Sequence, residues 1–264
     1  MSTCVLVAPG SVRLEERPLP EPGLGEVRLR LEGSGVCHSN LPMWEGRDWF
    51  TYPADPGAPG HEGWGVVDAL GDGVTGLARG QRVAALSFRA YADHDVAAAD
   101  AVVPLPASLG ALPFPGEPLG CAVNIFRRSD VRPGQDGAVV GVGFLGALLC
   151  RLAADAGARV IAVSRRPFSL DVARAYGAHE RVPMDDHWRV IERVKALTGG
   201  AGCHRVIECT GMQWPLDLAG ELTRERGRLV IAGFHQDGPR QVNMFLWNWR
   251  GRDVTNAHER DPRV

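Results

Sequence analysis

Ala138-Val139-Val140-Gly141-Val142-Gly143-Phe144-Leu145-Gly146 is the stretch that decides the fold. Its apolar first residues predict a buried strand, and the residues from Phe144 to Ala156 predict a helix. Between them Gly141, Gly143 and Gly146 fit the pattern GxGxxG, which indicates a dinucleotide site when it joins a strand to a helix. That context is met here. The stretch therefore predicts a tight turn that presents a helix N-terminus to a pyrophosphate.

Apolar runs and helical segments alternate in the chain after residue 118. Further strands are predicted at Arg159–Ser164, Arg205–Cys209 and Arg228–Ala232, and helices near Ser169–Tyr176 and around Leu216–Thr223. This alternation is typical of a parallel sheet in a doubly wound α/β domain.

The part before residue 117 has a different character. It is rich in Gly and Pro, and Val27–Glu32 alternates apolar and polar residues as a half-buried strand does. Gly65–Leu70 and Gln81–Leu86 indicate further short strands. We therefore predict a small β-rich barrel or sandwich.

The end of the second α/β strand bears on the choice between NAD and NADP. NAD sites normally carry Asp or Glu there, roughly 20 residues after the glycines, to hold the ribose hydroxyls. This chain has Ser164, Arg165 and Arg166 instead, which suit a 2′-phosphate. We predict that NADP(H) is preferred over NAD(H); the alternative is that both arginines are solvated surface charges. Further candidate cofactor contacts are Phe144, Leu145, Thr210 and Gly233.

Two segments of the β-rich part carry metal-ligand types. They are Gly35-Val36-Cys37-His38-Ser39-Asn40 and Gly60-His61-Glu62-Gly63. A thiolate and an imidazole are good zinc ligands, and a catalytic zinc takes three protein ligands and keeps one open position.

Four motifs in this order, GVCHSN, PGHEGWGVV, GEPLGC and VVGVGFLG, resemble the zinc-dependent medium-chain dehydrogenase/reductase superfamily of alcohol and sorbitol dehydrogenases. The resemblance runs from about Cys4 to the end of the chain. It implies a GroES-like catalytic domain over residues 1–117 and a Rossmann domain over residues 118–264. It also implies one catalytic zinc and hydride transfer between NADP(H) and an alcohol or carbonyl substrate.

The resemblance assigns roles to single residues. Cys37 and His61 match the first two zinc ligands. The third position falls on Glu117, with Cys121 as the alternative. Glu62 matches a glutamate that either lies beside the metal or coordinates it directly.

The same resemblance makes Ser39 the hydroxyl that relays the substrate proton. Glu45 stands where some members carry a histidine at the outer end of that relay. Two alternatives to the dehydrogenase remain open: a catalytically weak dinucleotide-binding sensor or structural protein, and a zinc-free reductase of the quinone oxidoreductase type. Ligand-type residues at positions 37, 61 and 117 favour the zinc enzyme over the latter.

Composition points away from several partners. A net charge of −2 gives no electrostatic reason for binding nucleic acid or an acidic membrane. The six cysteines are scattered without CxxC pairs, and neither a signal peptide nor a run of about 18 apolar residues is present. We expect a cytoplasmic protein with a small-molecule substrate.

Two departures from the family stand out. Ala84–Pro106 lacks the four clustered cysteines of the structural-zinc lobe. The chain ends at Val264, where relatives typically continue for several tens of residues. We expect either a truncated chain or a compact variant, and a truncated chain should turn over poorly.

The apolar and aromatic segment Val242–Trp249 lies where the family has its subunit contact, which predicts a homodimer.

Overall fold

The computed structural model describes residues 1–258, which form two compact units, Met1–Gly120 and a second that begins at Cys121. The closing segment Asp261–Val264 lies outside the described residues. The fold class is the predicted one, a β-rich unit and a unit built on a parallel sheet. Within residues 1–258, no helix is both long enough and apolar enough to cross a membrane.

The first unit is built on antiparallel strands. Its elements are β1 (Ser2–Ala8), β2 (Ser11–Glu16), β3 (Glu26–Ser34), α1 (Leu41–Glu45), β4 (Gly63–Leu70), β5 (Arg82–Ala85), β6 (His94–Ala98) and β7 (Val102–Pro104), with 3-10 turns at His38–Asn40, Ala99–Ala101 and Ala107–Leu109. β1 and β2 form a hairpin, and the others form a sheet in the order β6-β3-β4-β5-β7. Alternation in β3 gives this sheet its two faces. Val27 and Leu29 are fully buried, whereas Arg28 pairs with Asp68 at 2.7 Å.

The second unit alternates strands and helices. Its elements follow α2 (Gly116–Ser129) and are β8 (Asp136–Val140), α3 (Phe144–Asp155), β9 (Arg159–Ser164), α4 (Pro167–Ala175), β10 (Glu180–Pro183), α5 (His187–Leu197), β11 (Cys203–Glu208), α6 (Gln213–Leu222), β12 (Thr223–Ile231), α7 (Met244–Trp249) and β13 (Asp253–Asn256). The strands pair in parallel in the order β10-β9-β8-β11-β12-β13, which is the doubly wound order 3-2-1-4-5-6. The helix predicted around Leu216–Thr223 begins earlier, and Thr223 opens β12 instead.

Both faces of the parallel sheet are covered. Ala138 and Val140 of β8 pack on one face in a cluster with Leu216 and Val190, from α6 and α5. Val139 packs on the other face with Leu149 of α3. Because both faces are buried, these strands carry continuous apolar runs.

Candidate active site

Cys37, His61 and Glu62 converge in the first unit. Cys37 follows β3, and the other two immediately precede β4, which pairs with β3 so that Ser34 lies opposite Gly63. One ligand atom from each of the three side chains lies within 4.8 Å of the other two. The paired strand ends thus bring together the two motifs that the sequence keeps apart.

A shared carbonyl orients His61. Its Nδ1 lies 2.9 Å from the carbonyl oxygen of Pro59, and the same oxygen accepts a hydrogen bond from Nδ2 of Asn40 at 2.7 Å. Because a carbonyl can only accept, Nδ1 carries the proton and Nε2 is left available to a metal. Asn40 is buried, with 7% of its surface exposed. Sequence reasoning gave it no role, although it stands within the GVCHSN motif.

Glu62 is buried against the backbone that leads to Cys37. A Cβ on Gly35 would lie 1.8 Å from Oε2 of Glu62, so a larger residue here would displace that carboxylate. Burial, and then the negative charge of Glu117, raise the pKa of Glu62. Tyr91 donates a hydrogen bond to the Gly35 carbonyl at 3.3 Å. Burial, and then the charge of Glu62, raise the pKa of Tyr91 to about 12.

Glu117 lies close to this cluster but is not among the three convergent residues. The pKa of His61 is raised to about 9, first by its hydrogen bond with Cys37 and in part by the charge of Glu117. The structure therefore brings Glu62 into the tightest group of ligand atoms, with Glu117 beside it on the first turn of α2. Cys121, the alternative third ligand, lies one turn further along the same helix.

The donor set fits zinc. A thiolate sulfur, an imidazole nitrogen and a carboxylate oxygen are the ligand types of catalytic zinc sites, and the atoms here are close enough for small side-chain movements to bring them to one ion.

The two predicted relay residues differ in setting. Ser39 is half-buried in the 3-10 turn that follows Cys37. Glu45 is exposed at the end of α1, where it pairs with Arg47 at 3.2 Å.

The glycine turn of the second unit has the form that a dinucleotide needs. Gly141 has φ +94°, a left-handed conformation that favours glycine. A Cβ on Gly146 would lie 2.2 Å from the Gly141 carbonyl oxygen, so only glycine lets α3 pack this closely on the turn. A Cβ on Gly143 would meet nothing within 4 Å, which leaves room for a phosphate beside the helix N-terminus.

The remaining candidate cofactor residues lie at the carboxyl edge of the same sheet. Ser164 ends β9 and is buried, whereas Arg165 and Arg166 are exposed. Phe144 and Leu145 open α3, and the methyl group of Thr210 lies against Gly141. Gly233 follows β12 and packs against Gly211.

Comparison with known proteins agrees with this architecture. Residues 23–111 match the model of the alcohol dehydrogenase GroES-like domain, and residues 145–260 match that of the zinc-binding dehydrogenase family. An alcohol dehydrogenase of Rhizobium meliloti (strain 1021) is 30% identical over 257 residues, covering 83% of this chain and 73% of the relative. A sorbitol dehydrogenase of Gallus gallus is 30% identical over 282 residues, covering 93% and 78%.

The crystal structure of an alcohol dehydrogenase zinc-binding domain protein from Burkholderia ambifaria shares the fold. It matches with a TM-score of 0.86 at 21% identity and covers 100% of this chain and 85% of that one. The chain belongs to the zinc-dependent medium-chain dehydrogenase/reductase superfamily, as its motifs indicated. It is an oxidoreductase of the dehydrogenase type.

Proposed function

We propose that this dehydrogenase transfers hydride between NADP(H) and an alcohol or carbonyl substrate at a zinc centre. The observation that carries the proposal is the convergence of Cys37, His61 and Glu62 within 4.8 Å, with Glu117 beside them. Similarity to alcohol and sorbitol dehydrogenases supports an alcohol or polyol as the substrate class.

The residues of the metal cluster have distinct tasks. Cys37, His61 and Glu117 would hold the zinc, with Glu62 as a further ligand or a neighbour of the site. When bound, zinc would supply a Lewis acid for the substrate oxygen. The Pro59 carbonyl holds the His61 ring with Nε2 available, so the ring needs no reorientation when metal binds.

Proton movement is assigned to Ser39. Its hydroxyl, two residues from Cys37, accepts the proton of the substrate alcohol and passes its own outward. The exposed carboxylate of Glu45 is the proposed outer acceptor of that proton.

The second unit would bind the cofactor. Backbone N–H groups at the start of α3 would bind the pyrophosphate, and the hydroxyl of Ser164 with the guanidinium groups of Arg165 and Arg166 would bind the 2′-phosphate. When bound, the nicotinamide would accept or donate the hydride.

Elemental analysis of protein purified without chelator tests the metal centre. We expect about one zinc per chain, the stoichiometry of a catalytic site. Cys37→Ser should lose most of the metal, whereas the matched control Cys4→Ser should keep it, because Cys4 is a free thiol of β1 outside the cluster. A folded, zinc-free wild type would favour the sensor or the zinc-free reductase instead.

Dissociation constants for NADPH and NADH test the cofactor, and turnover with a panel of alcohols and aldehydes tests the activity. Tighter binding of NADH would refute the NADP preference. Zinc-loaded protein that binds cofactor yet turns over no member of the panel would refute the enzyme assignment.

A further inference from the structure

Glu208 ends β11 with a carboxylate that has no exposed surface. One oxygen accepts hydrogen bonds from the backbone N–H groups of Thr210 at 2.6 Å and Gly211 at 3.0 Å, and from the Thr210 hydroxyl. The other oxygen lies 3.2 Å from Nε2 of His235. A buried carboxylate needs such partners, because desolvation of an unpaired charge is very costly.

His235 connects this carboxylate to a cation. Nε of Arg240 donates to Nδ1 of His235 at 2.8 Å. Because a guanidinium can only donate, Nδ1 must accept, and the ring proton on Nε2 points to Glu208. Arg240 also donates to the Gly211 carbonyl at 2.7 Å and pairs with Asp237. The hydrogen bonds therefore run in one direction, from Arg240 through His235 to the accepting carboxylate of Glu208, and the exposed fractions of these side chains are 13%, 15% and 0%.

Further hydrogen bonds join the two loops that this network connects, the one that follows β11 and the one that follows β12. The loop that follows β12, residues 232–241, begins with two N–H groups, those of Ala232 and Gly233, bonded to the Glu208 carbonyl at 2.9 and 2.8 Å. At its other end, the Gln213 side chain both donates to the Gln241 carbonyl and accepts from the Gln241 N–H, at 2.7 and 2.9 Å. Both ends of this loop are thus fixed to residues at the end of β11 and the start of α6.

These loops lie at the edge of the sheet where dinucleotides bind. Ligands of doubly wound sheets occupy the crevice beyond the carboxyl ends of the strands. With the pyrophosphate at the β8 turn and the adenosine ribose at the end of β9, the other half of the cofactor extends toward β11 and β12, on the opposite side of β8. Thr210, a donor to Glu208, also touches the glycine turn at Gly141.

We propose that Glu208, His235 and Arg240 are positioning residues that hold residues 232–241 in the shape that receives the nicotinamide half of the cofactor. This role rests on the proposed function, since it presupposes a nicotinamide dinucleotide. None of the three is assigned to contact the reacting atoms. Their removal should therefore weaken cofactor binding and raise the KM for NADPH more than it lowers kcat.

Four variants, one of them a control, test the proposal in the full chain. His235→Leu removes both hydrogen bonds of the ring, whereas His235→Gln keeps an acceptor and a donor on one side chain. The matched control is Arg205→Leu. Arg205 pairs with Asp130 at 2.9 Å and has 14% of its side chain exposed, similar to His235. It lies toward the amino end of β11, the strand that Glu208 ends.

We expect His235→Leu to weaken NADPH binding about tenfold, which corresponds to ~1.4 kcal/mol. In nucleotide-free His235→Leu, amide hydrogen exchange at residues 209–213 and 232–241 should be faster than in the wild type. His235→Gln should recover most of the affinity, and Arg205→Leu should lower Tm without changing the Kd. Arg240→Met, at the outer end of the network, should give the same loss of affinity and keeps the test decisive if His235→Leu does not fold.

Unchanged affinity in both His235→Leu and Arg240→Met would overturn the proposal. So would an equal loss of affinity in Arg205→Leu, because the effect would then be one of general stability. A wild type that binds neither NADPH nor NADH would refute the proposed function itself. Unchanged exchange at the two loops would refute the network as their support independently of any nucleotide.

Discussion

Asn40 offers a test of the proposed metal centre that touches none of its proposed ligands. Asn40→Ala removes the 2.7 Å hydrogen bond to the Pro59 carbonyl and keeps the 2.9 Å bond between that carbonyl and His61 Nδ1. Loss of a buried hydrogen bond costs ~1–3 kcal/mol of stability. Groups that orient a metal-binding histidine typically contribute about 10–100-fold to metal affinity.

The structure places the expected effect at the lower end of that range. Asn40 does not bond the His61 ring itself but acts on it through the Pro59 carbonyl, so its effect should be indirect. We therefore expect zinc affinity to fall about tenfold, or ~1.4 kcal/mol. Competition with a fluorescent zinc chelator measures it.

Asn124→Ala is the matched control. Its side chain also donates to a backbone carbonyl, that of Ala257 at 2.9 Å, but within the second unit. Both variants should lose stability, and only Asn40→Ala should lose zinc affinity. Unchanged zinc affinity in Asn40→Ala, or an equal loss in Asn124→Ala, would refute the idea that the shared carbonyl orients His61.

Four further predictions concern the second unit. Leu149→Ala, at a fully buried position of α3, should lower the free energy of unfolding in urea by ~2–5 kcal/mol, and a smaller loss would mean that the core closes around the cavity. Burial raises the pKa of Cys150 and of Cys203 to about 12, so both thiols should resist iodoacetamide at pH 8 until the protein unfolds, as mass spectrometry would show. Because the folded-state values lie above the ordinary 9.0, their contribution to stability is present below pH 9 and is lost as the pH rises toward 12; urea unfolding at pH 8 and pH 10 checks the sign. Helix α7 exposes the stacked rings of Phe245 and Trp249, with centroids 6.2 Å apart, and we expect them to form a homodimer contact; Phe245→Glu should then yield monomers in sedimentation velocity, and a wild type that is already monomeric would contradict this.

Much of the second unit could be predicted from the sequence because its signals are local. A strand buried on both faces, such as β9, has to be apolar throughout, and a turn that approaches a phosphate needs glycines at fixed spacing. The β1–β2 hairpin gave no such signal. Nearly every side chain of β2 is exposed, Val12 and Leu14 among them, so its apolar residues mark no core face.

The candidate sites show the same division. The motifs around Cys37 and His61 could be found by residue type and order. The relation of Glu62 and Glu117 to them depends on how β4 and the start of α2 are placed, which spacing along the chain does not encode. Glu208 and His235 are separated by 27 positions and meet only because β11 and β12 are neighbours in the sheet.

Arg165 and Arg166 are exposed at the carboxyl end of β9 and form no ion pair within residues 1–258. Substitutions at such surface positions usually change stability by less than about 0.5 kcal/mol. Ser164 beside them is buried and belongs to the sheet. Under the proposed preference for NADP(H), the two arginines that would read the 2′-phosphate are therefore separable from the residues on which folding depends. Natural drift or a protein engineer could then alter coenzyme choice at these two positions without first acquiring a stabilising background.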